Sequence, residues 1–151
     1  MLTNEFLLEA RVDIAPSVDA GLVPGGLRRI VPITGGSFEG PELRGQVIPG
    51  GEDRQLFRSD GVLEVEASYA LRTDDGAVIV VNNRGYWHGS PEVGSRIMQG
   101  EDVDPSLYYF RTCARLEAPA GGPYAWLNRT IVLGSVAPKV RFVVVRFFAL
   151  T

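Results

Sequence analysis

One hairpin constrains this chain more than any other stretch. Residues 62–82 read VLEVEASYALRTDDGAVIVVN. Val65, Ala67, Tyr69 and Leu71 alternate with Glu64, Glu66, Ser68 and Arg72, the two-residue period of a strand with one buried face. Asp74-Asp75-Gly76 then reverses the chain, because a tight hairpin needs a residue that tolerates positive φ. Ala77 to Asn82 returns as the partner strand. An antiparallel pair with a polar outer face needs further strands to cover its apolar face.

Those strands are available. Phe6, Leu8, Ala10, Val12 and Ile14 alternate on one face of a first strand. Leu27–Ile33 is a second, with Pro32 marking an edge, a bulge or a bend. Further candidates are Leu43–Ile48, Leu107–Leu116, Tyr124–Leu133 and Val140–Leu150. One short helix is expected, with Ser90 as its cap, Pro91 in its first turn and Gly100 at its end. About eight or nine strands and one helix in 151 residues predict a single all-β domain over residues 1–151, a sandwich or a closed barrel. The segment VRFVVVRFFAL (140–150) is apolar on both faces, so its outer face is expected to be covered by a second copy of the chain, with a homodimer as the default assembly.

Composition narrows the function classes. A net charge of −3 with a single lysine, Lys139, carries no electrostatic footprint for nucleic acid and no basic patch for a membrane surface. One cysteine, Cys113, excludes an internal disulfide and a cysteine-rich metal site. The opening MLTNEFLLEARVDI lacks a basic segment followed by a long apolar run, so no signal peptide is expected and a cytoplasmic location is. No metal is expected: the lone histidine, His88, stands in YWHGSPE without ligand spacing.

Residues 33–55, ITGGSFEGPELRGQVIPGGEDRQ, are dense in glycine. A phosphate loop needs a helix directly after its glycines. Here Pro41, Gly45 and Pro49 follow instead, and neither GK[ST] nor G-x-G-x-x-G occurs. These glycines are therefore expected to be turns, bulges and barrel corners, and no cofactor is expected.

Order adds a resemblance. GGLRRIVPITGGSFEGPELRG, PGGEDRQ, SDGVLEVEASYALRTDDGAVIVVNNRG, YYFRT and AWLNRT follow one another as in the small bacterial and fungal proteins termed domain of unknown function 3237, the UPF0311 type, over nearly the whole chain. The resemblance implies a compact antiparallel β-barrel similar to those of allene oxide cyclase and dirigent proteins. For some fungal relatives it implies cyclase activity in natural-product pathways. The family usually reads GGADW where this chain has Gly50-Gly51-Glu52-Asp53-Arg54: the acid stays and the tryptophan becomes Arg54, a change expected to alter the size or polarity of a pocket.

A barrel of this size can hold one small ligand, oriented by a few polar groups in an apolar lumen. Asp53, after two glycines, is either a general acid or base or a turn aspartate bonded to nearby amides. Glu39 is either a second carboxylate of a proton relay or a partner of Arg28, Arg29 or Arg44. Tyr69 is either a ligand-orienting hydroxyl or a core tyrosine. Arg111, after Tyr108, Tyr109 and Phe110, either holds a ligand oxygen or pairs with Asp53, Asp60 or Glu39. Trp126, Asn128 and Thr130, taken as one strand face with Leu127 pointing outward, suit an aromatic ligand with oxygens. Tyr109, Arg54 and His88, the last expected on a loop near the rim, complete the candidate ligand-binding set.

Three function classes follow: a cofactor-free proton-transfer isomerase or cyclase, a barrel that only carries a small apolar oxygenated molecule (aromatic or polyketide-like), and a structural oligomer with a filled core. A filled barrel lines its lumen with large apolar residues alone. Tyr, Asn, Thr and Arg on the candidate inner faces favour a ligand, and the enzyme is the leading expectation.

Overall fold

A computed structural model describes all 151 residues. Nine strands form one antiparallel sheet: β1 (Asn4–Ile14), β2 (Val18–Val23), β3 (Gly26–Glu39), β4 (Arg44–Phe57), β5 (Leu63–Thr73), β6 (Val78–Gly89), β7 (Tyr108–Glu117), β8 (Val132–Pro138) and β9 (Phe142–Leu150). The order is β1-β9-β8-β7-β6-β5-β4-β3-β2, and an additional β1–β3 pairing closes the sheet into an eight-stranded barrel. Strand β2 remains outside as a flap on β3. The one α-helix, α1 (Pro91–Met98), joins β6 to β7. It starts as its sequence predicts: the Ser90 hydroxyl accepts from the Val93 amide at 3.1 Å, Pro91 opens the first turn, and Gly100 follows the end at φ +84°. No helix is long and apolar enough to cross a membrane.

The glycine stretch lies inside strands. Strand β3 has to serve two neighbours in turn: its first half pairs with β2 and its second half with β1, while β4 follows both halves. The changeover falls at residues 33–36, opposite a break in β4 after Ile48. Gly35, Gly36 and Gly50 adopt φ of +146°, +132° and +112° there, values that side chains rarely accept. At Gly36 a Cβ would also overlap the carbonyl oxygen of Arg11 on β1.

Four sequence expectations are corrected. Strand β2 was not foreseen, because VDAGLV is exposed along its length and carries no amphipathic signal. Strand β4 continues through PGGEDRQ to Phe57. The segment from Tyr124 is not a strand: Ala125–Arg129 is a 3-10 helix, and β8 begins only at Val132. In β1 the register shifts between Phe6 and Leu8, which turns Phe6 outward and buries Leu7 and Leu8 side by side.

The core fills one end of the barrel. Leu8, Leu71, Ile79, Val81, Val132 and Phe147 are shut off from water, and Leu127 of the 3-10 helix seals that end from outside. On the outer wall, Phe6 packs edge-on against Phe148 and stays partly exposed, as does Leu133 opposite Phe148 on β8.

Closure through Gly36 predicts a graded response. Gly36→Ala should destabilise the chain by more than about 1 kcal/mol, since its φ and its overlap with Arg11 both oppose a side chain. Gly50→Ala, where a Cβ meets nothing within 4 Å, should cost less. Urea midpoints of the two variants check this; equal midpoints would contradict the strand changeover as the closing constraint.

Candidate active site

The inner wall changes character along the barrel axis. Leu71, Ile79 and Val81 have no exposure, whereas Leu63 retains 8%, Val65 7%, Phe110 7% and Val136 6%. The inner wall is therefore least tightly covered toward the end where β5 and β7 begin. Register places the residues of this open half. Arg29 of β3 lies opposite Gln55 of β4, which lies opposite Val65 of β5. One step deeper, Val31 faces Asp53, Asp53 faces Ala67, and Ala67 faces Asn83 of β6. Facing residues of an antiparallel pair share a side of the sheet, so Arg29, Gln55, Asp53 and Asn83 all belong to the inner wall. Small residues stand between them: Ala67, Gly85 and Ala114.

Asp53 is the centre of this wall. Its Oδ2 accepts from the Gln55 side-chain amide at 2.8 Å, and its Oδ1 accepts from the Glu66 backbone amide at 3.1 Å. Gln55 in turn accepts from Arg29 Nε at 2.6 Å, so a relay runs from guanidinium to amide to carboxyl. Burial raises the Asp53 pKa above the ordinary carboxylate value; the two hydrogen bonds and the charge of Arg29 oppose the shift, and the charge of Glu66 adds to it. Burial likewise lowers the pKa of Arg29, against the charges of Asp19 and Asp53.

Around Asp53 the wall carries polar atoms that the chain does not satisfy. Tyr69 Oη, Asn83 Oδ1, Trp87 Nε1 and Thr112 Oγ1 are buried without a hydrogen-bond partner in the chain. Burial pushes the Tyr69 hydroxyl well above the usual tyrosine pKa, and the nearby charge of Asp53 adds to the shift, so it stays protonated. Thr112 leans across Gly134 of β8, where a Cβ would overlap its hydroxyl. Trp87 packs beneath α1, where a Cβ on Gly94 would sit 3.2 Å from the indole ring. The far end of α1 reaches β3: Met98 Sδ lies 3.8 Å from both terminal nitrogens of Arg29. Helix α1 thus spans the open end from β6 to β3.

The structure brings Asp53 and Tyr69 together on the inner wall, and it separates the other sequence candidates from them. Arg111 is exposed on the outer wall, where Nη1 donates to the Phe110 carbonyl and to Ser135 Oγ and the guanidinium stands 5.9 Å above Tyr109. Tyr109 itself is exposed and stacks on His88 at 4.7 Å, again outside. Arg54 is exposed, because alternation turns the residue after Asp53 outward; the departure from GGADW does not enter the lumen. Glu39 is exposed at the other end of β3, opposite Arg44 and Glu9. The proposed Trp126–Asn128–Thr130 face is corrected by the 3-10 helix. Asn128 exchanges bonds of 2.8 and 3.0 Å with the Ala118 backbone, the Thr130 hydroxyl donates to the Trp126 carbonyl, and Leu127 turns inward. Arg29, Gln55, Asn83, Trp87 and Thr112 were missed. Asn83 had a visible signal, since it continues the inward set Ile79, Val81; Gln55 and Arg29 depended on the pairing of β3 with β4.

Comparison with known proteins agrees with this fold. The family model Protein of unknown function (DUF3237) matches residues 2–150. The UPF0311 protein RPA1785 of Rhodopseudomonas palustris is 43% identical over 145 residues, covering 95% of this chain and 94% of its own. Its crystal structure superposes with a TM-score of 0.94 over 100% of this chain and 99% of that one, at 38% identity. A beta-barrel like protein from Acinetobacter baumannii superposes with a TM-score of 0.86 at 39% identity, over 100% and 97% of the two chains. A shorter match, 32% identical over 77 residues and 51% of each chain, is to the hydroalkoxylation enzyme phnH of Penicillium herquei.

The buried carboxyl has a thermodynamic signature. With its folded pKa raised, Asp53 contributes stability that is complete below its unfolded pKa of about 4 and is lost as pH rises through the folded value. The stability of the wild type relative to Asp53→Asn should therefore fall as pH increases from about 4 and then level off. Urea unfolding of both proteins at several pH values checks this; a difference that grows with pH would show an Asp53 pKa below normal.

Proposed function

We propose that this chain, which belongs to the DUF3237 family, is a cofactor-free enzyme that moves a proton within a small apolar oxygenated molecule held in the barrel lumen. The observation that carries the proposal is the company of Asp53. One carboxyl, made reluctant to ionise by burial, shares an inner wall with four buried polar atoms that lack partners in the chain. Buried polar groups are nearly always satisfied, so a cluster of exceptions asks for a partner from outside the chain. An aromatic or polyketide-like body fits the apolar surroundings; its oxygens meet the donors of Tyr69, Trp87 and Thr112, and a hydroxyl of the same molecule meets the Asn83 oxygen.

The chemistry follows from the placement of the acid among its hydrogen-bond donors. Asp53 in its acid form donates its proton to an alkene carbon of the ligand. The carboxylate left behind keeps the Gln55 amide, the Glu66 amide and the positive field of Arg29. A hydroxyl of the same molecule then adds to the cationic carbon, and the proton it releases returns to Asp53. One O–H bond and one π bond are consumed, one C–O and one C–H bond form, and the carboxyl is restored. Tyr69, still protonated, donates a hydrogen bond to a ligand oxygen, and closure of the mouth by α1 keeps water from intercepting the cation. Half of this chain resembles a protein named as a hydroalkoxylation enzyme, which supports this direction of chemistry.

The test separates an enzyme from a carrier. Oxygenated aromatics bearing both a hydroxyl and an alkene are incubated with the wild type and with Asp53→Asn. Product is followed by mass spectrometry and binding by tryptophan fluorescence. Asp53→Asn should bind within about threefold of the wild type while turnover falls by roughly 10²-fold or more. Wild-type kcat/KM should decline as pH rises through the Asp53 pKa, since the acid form is the reactant. Binding without turnover at any pH would assign the barrel to transport instead.

A further inference from the structure

Arg29 is a cation without a counter-ion at the mouth of the lumen. Its Nε is taken by Gln55, and its guanidinium lies 4.9 Å over the ring of Phe57. The two terminal nitrogens meet only the thioether of Met98, a weak acceptor, each at 3.8 Å. Seven other basic side chains of the chain, including Arg11, Arg44, Arg58 and Arg146, form ion pairs with carboxylates. Arg29 forms none. Asp19, its cross-strand neighbour on β2, is exposed and accepts instead from the Ser17 hydroxyl. Asp53 is reached only through Gln55. A half-buried guanidinium placed over an aromatic ring, with its outer fork turned to a soft and displaceable group, is built to receive two oxygens from outside the chain.

We infer that Arg29 selects ligands bearing a carboxylate, which docks on its free fork at the mouth while the apolar body extends into the lumen toward Asp53. Met98 is the group displaced. It is the last residue of α1 and largely exposed, so it can swing aside without disturbing the core. Anchoring at Arg29 sets the depth of the ligand, because Arg29 and Asp53 stand one inward step apart on neighbouring strands. It also gives α1 a sensor: the helix touches the anion site through Met98 and the indole of Trp87 through Gly94. The inference rests on the lumen being a ligand site and adds the chemical class of what enters it.

Matched probes test it. Cinnamate and cinnamamide share size and shape and differ in charge. The wild type should bind cinnamate about tenfold tighter than the amide, the scale of a charge-assisted bidentate contact. Arg29→Gln should lose that preference while keeping its affinity for the amide, and Arg29→Lys should retain part of it. Met98→Ala, a surface change that leaves folding intact, should tighten cinnamate and leave the amide unchanged. Equal binding of the two probes by the wild type, or a preference that survives in a folded Arg29→Gln, would overturn the anion site and leave the lumen proposal standing. Failure of both probes to perturb tryptophan fluorescence would overturn both.

Discussion

Everything in this molecule depends on β3 reaching two partners. A sheet of nine strands in sequence-neighbour order has two edges, and an edge exposes unpaired amides and carbonyls. The chain covers the edge at β1 by bending β3 at Gly35-Gly36, so that its second half takes up the free side of β1, and leaves only the short β2 as an edge. Strand β4 bends with it at Gly50-Gly51. At Gly51 a Cβ would crowd Ser68 and Tyr69 of β5, so this glycine lets β4 lie close against the strand that carries Tyr69. The glycines that look like a nucleotide loop are thus the hinge of the barrel.

Closure explains the electrostatics of the site. In an open sheet Asp53 would face water on one side and ionise normally. Enclosure strips that water away, and the shift that follows is a desolvation effect first, moderated by Gln55, the Glu66 amide and Arg29. The same enclosure makes the orphaned polar atoms of Tyr69, Asn83, Trp87 and Thr112 costly, at roughly 1–3 kcal/mol for each unsatisfied group. A core built only for stability would replace them with leucine and valine, as the other half of the lumen does. The lumen is thus divided into an apolar plug that holds the fold and a polar cup whose groups the chain leaves unsatisfied.

Legibility in the sequence followed periodicity. The hairpin of β5 and β6, the inward set Val65, Ala67, Tyr69 and Leu71, and the capped helix were readable because each rests on local signals. Asp53 was readable from its place after two glycines and from the family pattern. The failures share a cause: they needed register or an unmarked change of structure. Arg111 looked embedded among aromatics, yet alternation from the buried Phe110 sends it out. Trp126 and Asn128 looked like one strand face, and a single 3-10 turn reversed which residue is inside. Arg29 was visible only as a neighbour of Glu39, because its true neighbour, Gln55, lies across a pairing that no local pattern encodes.

The order of strands also says why the cup lies where it does. Strands β3, β4 and β6 contribute Arg29, Asp53 and Asn83, with the small residues Ala67 and Gly85 among the inward positions between them. On the opposite wall Val136 carries bulk. The proposed ligand, entering under α1, would meet the polar groups of β3, β4 and β6 with its oxygens, the orientation that a charge at Arg29 and a proton at Asp53 both require. The proposed pose thus rests on two separate features, the polar groups beside Asp53 and the free guanidinium fork at the mouth.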